Sequence, residues 1–260
     1  MERPLLDIVM MTNTKISCKL EKLRNFARTL RDDNSGLALV EFAVSLPFFM
    51  GLTIGGVEMA NYASVTMQLN QIAIHTADNA ARMGETSLLS ARRISELQIS
   101  DVFEGTLREG DRVALSGGHG YTDPITGDKS IRGNALIVLS SIEITAPFVT
   151  TNPKYRIRWQ RCAGTANQFE SSYGDKTATP TSDGFGPTGK KVKPLPTSAV
   201  MLVELQYHYE PMIVNGFARL TSRNISQTAS MVVREQRDYA GPPGGEGVWP
   251  SPGVTASTCT

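Results

Sequence analysis

The sequence is poor in the residues that metal and nucleophilic sites need, with three histidines and three cysteines in 260 residues. His75, His119 and His208 are far apart, and none belongs to an H-E-x-x-H motif. The cysteines lack the spacing of zinc ligands, and no G-x-S-x-G segment marks a nucleophilic serine. His119 lies in a Gly-Gly-His-Gly segment, which predicts an exposed turn. We therefore expect no catalytic residue, no metal site and no cofactor, and a protein that is not an enzyme.

The sequence also lacks an excess of either charge, because 26 Lys and Arg oppose 25 Asp and Glu. This balance gives no indication of nucleic-acid binding. The segment Gly184–Lys191 has G-x-G-x-x-G spacing and resembles a phosphate-binding loop. However, Lys191 stands where such a loop carries the magnesium-binding Ser or Thr, and no apolar strand precedes the segment. We expect an exposed basic loop there.

Only one long apolar run is present, the 24 residues from Leu37 to Ala60. As a helix it would be about 36 Å long, enough to cross a hydrocarbon core of about 30 Å. Glu41 and Glu58 interrupt the run, and charge inside a membrane is costly and usually functional. Glu58 lies near the far interface, where hydration is expected. Pro47 lies in the middle of the run and predicts a kink.

The residues before the apolar run predict its orientation. Between Asn13 and Arg31 there are six basic residues and one acidic residue. Because basic residues flank the cytoplasmic end of a membrane span, the N-terminus is expected in the cytoplasm and the rest of the chain outside it. A secretory signal peptide cleaved near Ala60 and Ala63 is the open alternative.

The pattern changes twice after the span. Apolar residues at helical spacing predict that the helix continues, and a second helical pattern covers 88–107. Alternating patterns then predict four strands, at 112–116, 134–145, 154–162 and 199–213. The Asn215-Gly216 pair predicts a hairpin turn, and 217–236 is a strand or helix candidate. The tail from Gly241 is predicted to be structureless because it is rich in Pro and Gly.

These patterns predict an α+β fold, in which a long N-terminal transmembrane and amphipathic helix carries an outer antiparallel-sheet domain. The predicted parts are a cytoplasmic basic leader (1–36), a transmembrane helix (37–61), a helical stalk (62–110), an extracytoplasmic sheet domain (111–240) and a Pro/Gly-rich tail (241–260).

Two of the three cysteines are predicted to form a disulfide. Cys18 lies in the leader, on the reducing side of the membrane, whereas Cys162 and Cys259 lie beyond the span, where disulfides persist. A bridge between them would fasten the tail, and in the chain-entropy model it would contribute about 4–5 kcal/mol. Two separate thiols are the alternative reading.

The segment from Asp33 to Arg82 resembles a known family. It carries Gly36-Leu-Ala-Leu-Val-Glu41-Phe-Ala, then Pro47, and then Gly55-Gly-Val-Glu58 ahead of Tyr62. It looks like the TadE/TadG-like pseudopilins of bacterial tight-adherence (Flp-type) pilus systems. The outer region has no recognisable von Willebrand-type domain, so the resemblance is to the TadE-like members.

The resemblance implies a pilin-like fold and cleavage by a prepilin peptidase between Gly36 and Leu37. Glu41 would then be the fifth residue of the mature chain and would pair with the N-terminal amine of a neighbouring subunit; Glu58 and Pro47 are the other expected assembly residues. The implied partners are other pilin or pseudopilin subunits, the inner-membrane assembly platform and the lipid bilayer. The implied location is the bacterial inner membrane, in a single pass.

An unprocessed single-pass protein with an extracytoplasmic ligand-binding or sensor domain is the alternative function. For Glu41, the alternative is a carboxylate that reaches the cytoplasmic interface.

Overall fold

The computed structural model describes residues 36–87, 90–145, 151–196, 198–212, 224–234, 237–243 and 245–259. The predicted basic leader, apart from Gly36, and the predicted Asn215-Gly216 turn lie outside these residues. The chain divides into two units, one ending at Gly56 and one beginning at Val57, which we call the sheet domain. The fold is α+β, with one long apolar N-terminal helix and a separate antiparallel-sheet domain.

Helix α1 (Leu37–Arg82) is a single helix of 46 residues. From Glu58 onward it buries one stripe of residues at helical spacing, which packs against the sheet. Its buried members between residues 69 and 80 are Leu69, Ile72, Ala73, Thr76, Ala77 and Ala80, as the spacing predicts. The helix ends before Gly84, whose φ of 136° is a conformation that only glycine adopts without strain.

The second predicted helix is shorter than its pattern suggests. Strand β1 (Glu85–Ser87) precedes the predicted range, strand β2 (Ser90–Ser95) occupies its first part, and helix α2 runs only over Glu96–Glu109. The backbone N–H of Ser95 donates to Oε1 of Gln98 at 3.2 Å, which fixes the start of α2. Strand β2 is held by pairing with β1 and with a distant strand near the C-terminus, and helical spacing does not reveal such partners.

The strand predicted over residues 112–116 is wrong. Gly110–Val113 form a 3₁₀ turn, and Ala114 adopts a left-handed conformation with φ of 50°. The chain folds back so that the side chain of Leu115 lies against Gly110 and is fully buried. Any side chain at position 110 would overlap Leu115, so the close approach needs glycine.

The main sheet has four antiparallel strands in the order β6-β5-β7-β8. Their bounds are β5 Ala135–Ile144, β6 Tyr155–Gly164, β7 Val200–His208 and β8 Asn224–Val232. Three of them match the strands predicted at 134–145, 154–162 and 199–213, and β8 lies inside the ambiguous segment 217–236. One face of the sheet packs against α1 and α2, and the other face forms a smaller core with Phe185.

A two-stranded hairpin, β3 (Gly118–Thr122) and β4 (Lys129–Gly133), precedes the main sheet. The prediction of an exposed turn at His119 is wrong, because His119 is a buried residue of β3. Its ring stacks on that of His208, with centroids 3.8 Å apart. Each ring donates from Nδ1 to an asparagine Oδ1, His119 to Asn134 and His208 to Asn224.

The tail is not structureless. Strand β9 (Val248–Trp249) pairs in parallel with β2, and Glu246 forms ion pairs with Arg161 and Lys176. The predicted disulfide between Cys162 and Cys259 is present and fastens the end of the tail to β6. The composition of the tail is that of a loop, but contacts with distant residues hold it on the sheet domain.

Candidate assembly site on the N-terminal helix

Gly36 and Leu37, the predicted processing site, lie at the start of α1. Gly36 is an exposed turn residue, and its carbonyl accepts the N–H of Val40 at 3.1 Å, which closes the first helical turn. Leu37 is 60% exposed. The backbone between the two residues is therefore accessible in the described part of the chain, and a cut there would leave a chain that begins with its helix.

Glu41 lies one turn further along α1 and is exposed. Within the described residues it has no hydrogen-bond or ionic partner. A carboxylate placed in lipid needs a cation or a hydrogen-bond donor, since leaving it unpaired in an apolar medium is costly. Glu41 is thus a group whose partner must come from outside the described part of this chain once the helix enters a membrane.

The segment from Leu37 to Val57 has the character of a membrane span. It contains an 18-residue window with a mean hydropathy of 1.9, and none of that window is buried inside the protein. Helix α1 is thus long and apolar enough to cross a membrane once. Its large exposed apolar side chains include Leu39, Phe42, Val44, Phe48, Phe49 and Leu52.

Pro47 lies inside α1 and does not end the helix. It removes the N–H that would bond the carbonyl of Ala43, so one acceptor of the helix is left open. The hydroxyl of Thr53 is satisfied within the helix, because it donates to the carbonyl of Phe49 at 2.8 Å. The predicted kink at Pro47 stays a prediction.

Small residues repeat at a spacing of four along α1. Gly51 and Gly55 are four residues apart, and Gly56 and Ala60 repeat this spacing. A Cβ added at Gly51 or Gly56 would meet no atom within 4 Å. Small residues at this spacing let two helix backbones approach closely in a membrane.

Glu58 lies in a different environment from the one predicted. It is 2% exposed, and the hydroxyl of Tyr209 donates to its Oε1 at 2.6 Å. Asn61 donates in turn to the Tyr209 oxygen at 2.8 Å, and the ring of Tyr62 meets that of Tyr209 edge-on, with centroids 5.1 Å apart. The prediction that Glu58 is hydrated is wrong, because the carboxylate is bound inside the sheet domain.

The surroundings of Tyr209 keep its phenol protonated, so that it can donate a hydrogen bond. Burial and the hydrogen bond to Glu58 raise the pKa of Tyr209 to about 12. The phenol therefore remains protonated at any physiological pH and can bond the carboxylate. Glu58 thus fastens α1 to the segment that follows β7, which is a contact within one chain; its predicted role in assembly is untested.

A second charged cluster is centred on Arg161 of β6, the residue before Cys162. Arg161 of β6 is buried and donates through Nε to both carboxylate oxygens of Glu96, at 3.2 and 3.1 Å. Its Nη1 also lies 3.5 Å from Glu246 of the tail. One guanidinium thus joins α2, the sheet and the tail, because its planar fork of donors can serve several carboxylate oxygens.

A pocket of about 600 Å³ opens beside the disulfide. It lies between the outer face of β5 and β6, the loop that follows β6, and the end of the tail. Its lining is part polar and part apolar and includes Gln160, Phe169, Glu170, Asp175, Thr258 and the disulfide. Its size is within the range of small-molecule sites.

Sequence reasoning identified Gly36, Glu41, Pro47 and the cysteines but missed the partners of Glu58. Tyr209 is 151 residues away from Glu58, and nothing local in the sequence links the two. One feature of the sequence could have indicated this contact. Tyr209 lies directly after an alternating strand, and a tyrosine hydroxyl that is buried usually needs a hydrogen-bond partner.

Comparisons with family models, with curated proteins and with solved structures gave no match to this chain. Within the described residues, no group of three or more His, Cys, Asp and Glu side chains could hold a metal ion.

Proposed function

We propose that this chain is a minor pilin or pseudopilin of a tight-adherence (type IVc) pilus assembly and secretion system. In this proposal a prepilin peptidase cleaves it after Gly36, and its N-terminal helix then drives assembly. The observation that carries the proposal is the exposed apolar part of α1, which begins at the predicted processing site and holds Glu41 one turn later. The resemblance of Asp33–Arg82 to TadE-like proteins supplies the identity of the system.

The place of Glu41 supports an assembly role. Cleavage before Leu37 would free an amine at the end of the helix, four residues before the carboxylate. A neighbouring subunit at the same depth in the bilayer would offer its own amine to Glu41. Such a pair satisfies both charges in a medium where either alone is costly.

The rest of α1 also supports the proposal, because it attaches the N-terminal part of the helix to the sheet domain. From Glu58 to Ala80 the helix is packed against the sheet and bonded at both ends, to Tyr209 and to Arg237. The implied partners are the peptidase, other pilin or pseudopilin subunits, the inner-membrane assembly platform and the lipid bilayer. The chain would sit in the inner membrane, with its N-terminus in the cytoplasm and the sheet domain outside.

The N-terminal sequence of the protein isolated from membranes, with and without the candidate peptidase, tests this function. We expect a mature chain that begins at Leu37 only when the peptidase is present. Gly36→Val should block the cut, since a branched side chain hinders close approach of the backbone to an active site, whereas Ser35→Ala should not. An intact chain in every sample would contradict the proposal.

A single-pass protein with an extracytoplasmic ligand-binding or sensor domain is the second candidate. The pocket beside the disulfide favours it, because it is large enough for a small molecule and part of its wall is polar. An intact leader would select this candidate. Cleavage near Ala63 is disfavoured, because that site lies within α1 two residues from Asn61, which bonds Tyr209.

A further inference from the structure

The pocket beside the disulfide has an acidic wall. Fifteen described residues line it, and two of them carry carboxylates, Glu170 and Asp175. None of the fifteen is Lys, Arg or His. The pocket therefore offers negative charge that no cation of its own lining neutralises.

The cations next to the lining in sequence are engaged elsewhere. Lys176 follows Asp175 directly, but its Nζ lies 2.5 Å from Oε1 of Glu246 in the tail. Arg161 of β6 is buried and pairs with Glu96 of α2. Both positive charges are thus matched by carboxylates that do not line the pocket.

Gln160 supplies a fixed acceptor at the pocket wall. It is 6% exposed, and its Nε2 donates to Oγ of Ser140 at 3.0 Å and to the carbonyl of Gly174 at 3.1 Å. These bonds identify the two ends of the amide, since a backbone carbonyl can only accept. Within the described residues Oε1 accepts no hydrogen bond, and it is not sealed off from solvent. Because Gln160 lines the pocket, the missing donor must come from a molecule inside it.

The two carboxylates are also available to a ligand. Asp175 accepts from the hydroxyl and the N–H of Thr177, both through Oδ1, so Oδ2 is free in the described part of the chain. These hydrogen bonds lower the pKa of Asp175 below its usual range, so the group is ionised at neutral pH. The carboxylate of Glu170 has no partner among the described residues. Both residues are exposed, so their charges lie at the mouth of the pocket.

The rest of the wall is partly apolar. It includes Leu136, Ala166, Phe169 and Ala178. Apolar side chains in such a site contact the carbon skeleton of a ligand, while a few polar groups orient it. A volume of about 600 Å³ is also far larger than a monatomic ion needs, so the pocket fits an organic molecule better than a metal cation.

We propose that this pocket binds a small organic amine, in which a primary ammonium is joined to an apolar body. The ammonium would donate to Oε1 of Gln160 in the field of the Glu170 and Asp175 carboxylates, and the apolar body would contact Phe169. A ligand that carries its own carboxylate or phosphate is disfavoured, because it would meet like charge and the lining holds no cation to pair with it. This disfavours amino acids and the headgroup of phosphatidylethanolamine.

The site goes beyond the pilin assignment and gives the second candidate function its ligand class. It lies within the sheet domain and does not depend on cleavage at Gly36, and a pilin subunit could carry it equally well. N-terminal sequencing and ligand binding therefore succeed or fail separately.

Phenethylamine, 2-phenylethanol and phenylalanine are matched probes with the same apolar body. The full chain, in nanodiscs of phosphatidylcholine, which has no primary ammonium, would be titrated with each probe by isothermal titration calorimetry. We expect saturable binding of phenethylamine. The alcohol lacks the charge and phenylalanine adds a carboxylate, so both should bind at least about tenfold more weakly. Nanodiscs of phosphatidylethanolamine should leave the affinity for phenethylamine unchanged.

Glu170→Gln combined with Asp175→Asn removes both charges and keeps the size of the side chains. Both residues are exposed, and the new amide keeps an acceptor for Thr177, so the double variant should stay folded. We expect it to bind phenethylamine roughly tenfold more weakly than the wild type. Asp101→Asn is the control, because it removes an exposed carboxylate of α2 that does not line the pocket. Circular dichroism and the melting temperature check that both variants are folded.

Selective ¹⁵N labelling of glutamine tests the contact with Gln160. Its side-chain NH₂ signals should shift when phenethylamine is added, whereas an ammonium held only by the carboxylates at the mouth would leave them in place. The proposal is wrong if phenethylamine does not bind the wild type, or if these signals do not move. It is also wrong if either other probe binds as tightly, if the double variant binds phenethylamine like the wild type, or if phosphatidylethanolamine competes for the site.

Discussion

Two carboxylates of the sheet domain accept hydrogen bonds from hydroxyl groups in its interior. Glu58 accepts from Tyr209, and Glu204 accepts from the hydroxyl of Ser171 at 2.6 Å and from the N–H of Ser172 at 2.7 Å. Burial raises the pKa of the Glu204 carboxyl above its usual range. Each carboxylate joins segments that are far apart in sequence, so single residues fix how the helix and the long loop lie on the sheet.

Removing the Tyr209 hydroxyl should weaken the attachment of α1. Tyr209→Phe leaves a buried carboxylate without one donor and Asn61 without its acceptor, and should lower the free energy of unfolding by about 2 kcal/mol. Glu58→Gln keeps an acceptor for the Tyr209 hydroxyl, so it should lower the free energy of unfolding by less than half as much as Tyr209→Phe. Tyr173→Phe is the control, since its hydroxyl contacts the neutral Thr228 at 3.1 Å and should cost under about 1 kcal/mol. Urea denaturation in detergent would measure all three, and equal losses would contradict the assigned role.

Glu143 should make stability depend on pH. It is 9% exposed, and burial raises its pKa to about 7 from 4.5, although Arg158 and Arg156 oppose the shift. Between these two pH values the folded chain holds the proton and the unfolded chain releases it. The free energy of unfolding therefore falls as pH rises through this window.

Glu143→Gln removes this dependence. Its stability relative to the wild type should rise between pH 4.5 and pH 7, by up to about 3 kcal/mol. Denaturation at pH 5 and at pH 8 would measure the difference. A variant whose relative stability is the same at both pH values would show that Glu143 is ionised in the folded protein.

Among the helices and strands, sequence periodicity predicted those that bury a regular face. It did not predict the segments that are held by residues far away in the sequence. The stripe Leu69–Ala80 and strands β5, β6 and β7 follow from spacing, because each buries a regular face. The tail and β2 do not, because contacts with distant residues hold the Pro/Gly-rich tail and one edge of the short polar strand β2. For the candidate assembly site, the sequence predicted the long apolar helix, and the role of Glu41 stays a prediction; the binding of Glu58 within its own chain was not predicted.

The tail should depend on its disulfide. Cys162 and Cys259 are 97 residues apart, and loss of a bridge that closes such a loop should cost about 4 kcal/mol in the chain-entropy model. Cys259→Ser should also alter the fluorescence of Trp249, which stacks under Arg93 at 4.3 Å, because the tail is released. Thermal unfolding and emission spectra would measure both effects. Cys18→Ser is the control, and a fluorescence spectrum unchanged in Cys259→Ser would mean that the tail is held without the bridge.

The whole molecule combines a helix segment with an exposed apolar surface and a sheet domain that has its own core. The apolar side chains in the first part of α1 are exposed and Glu41 has no partner among the described residues, whereas α1 from Leu69 onward is part of the closed core of the sheet domain. Mutations in the first part are therefore expected to affect assembly, and mutations in the second part are expected to affect folding.

Glu41→Gln tests this division. The amide removes the charge that would attract a neighbouring amine, so recruitment into sheared filaments or membrane complexes should fall by about tenfold, which corresponds to one lost ionic contact. Folding and cleavage at Gly36 should be unchanged. Glu104→Gln is the control, because Glu104 is exposed and, among the described residues, pairs with Arg108 four residues further along the same helix. Normal recruitment of Glu41→Gln would remove Glu41 from the assembly mechanism.

The attachment of α1 along the sheet has a mechanical consequence. A pull on the helix from its N-terminal end reaches the contacts of the sheet domain first at Glu58 and Tyr209. Because the helix is bonded at Glu58 and again at Ala80, and its buried stripe from Leu69 to Ala80 packs in the core, the load is shared among these contacts. A helix attached at one point would be peeled off contact by contact. The attachment of the helix is thus distributed over several contacts, and no single one of them carries the whole pull.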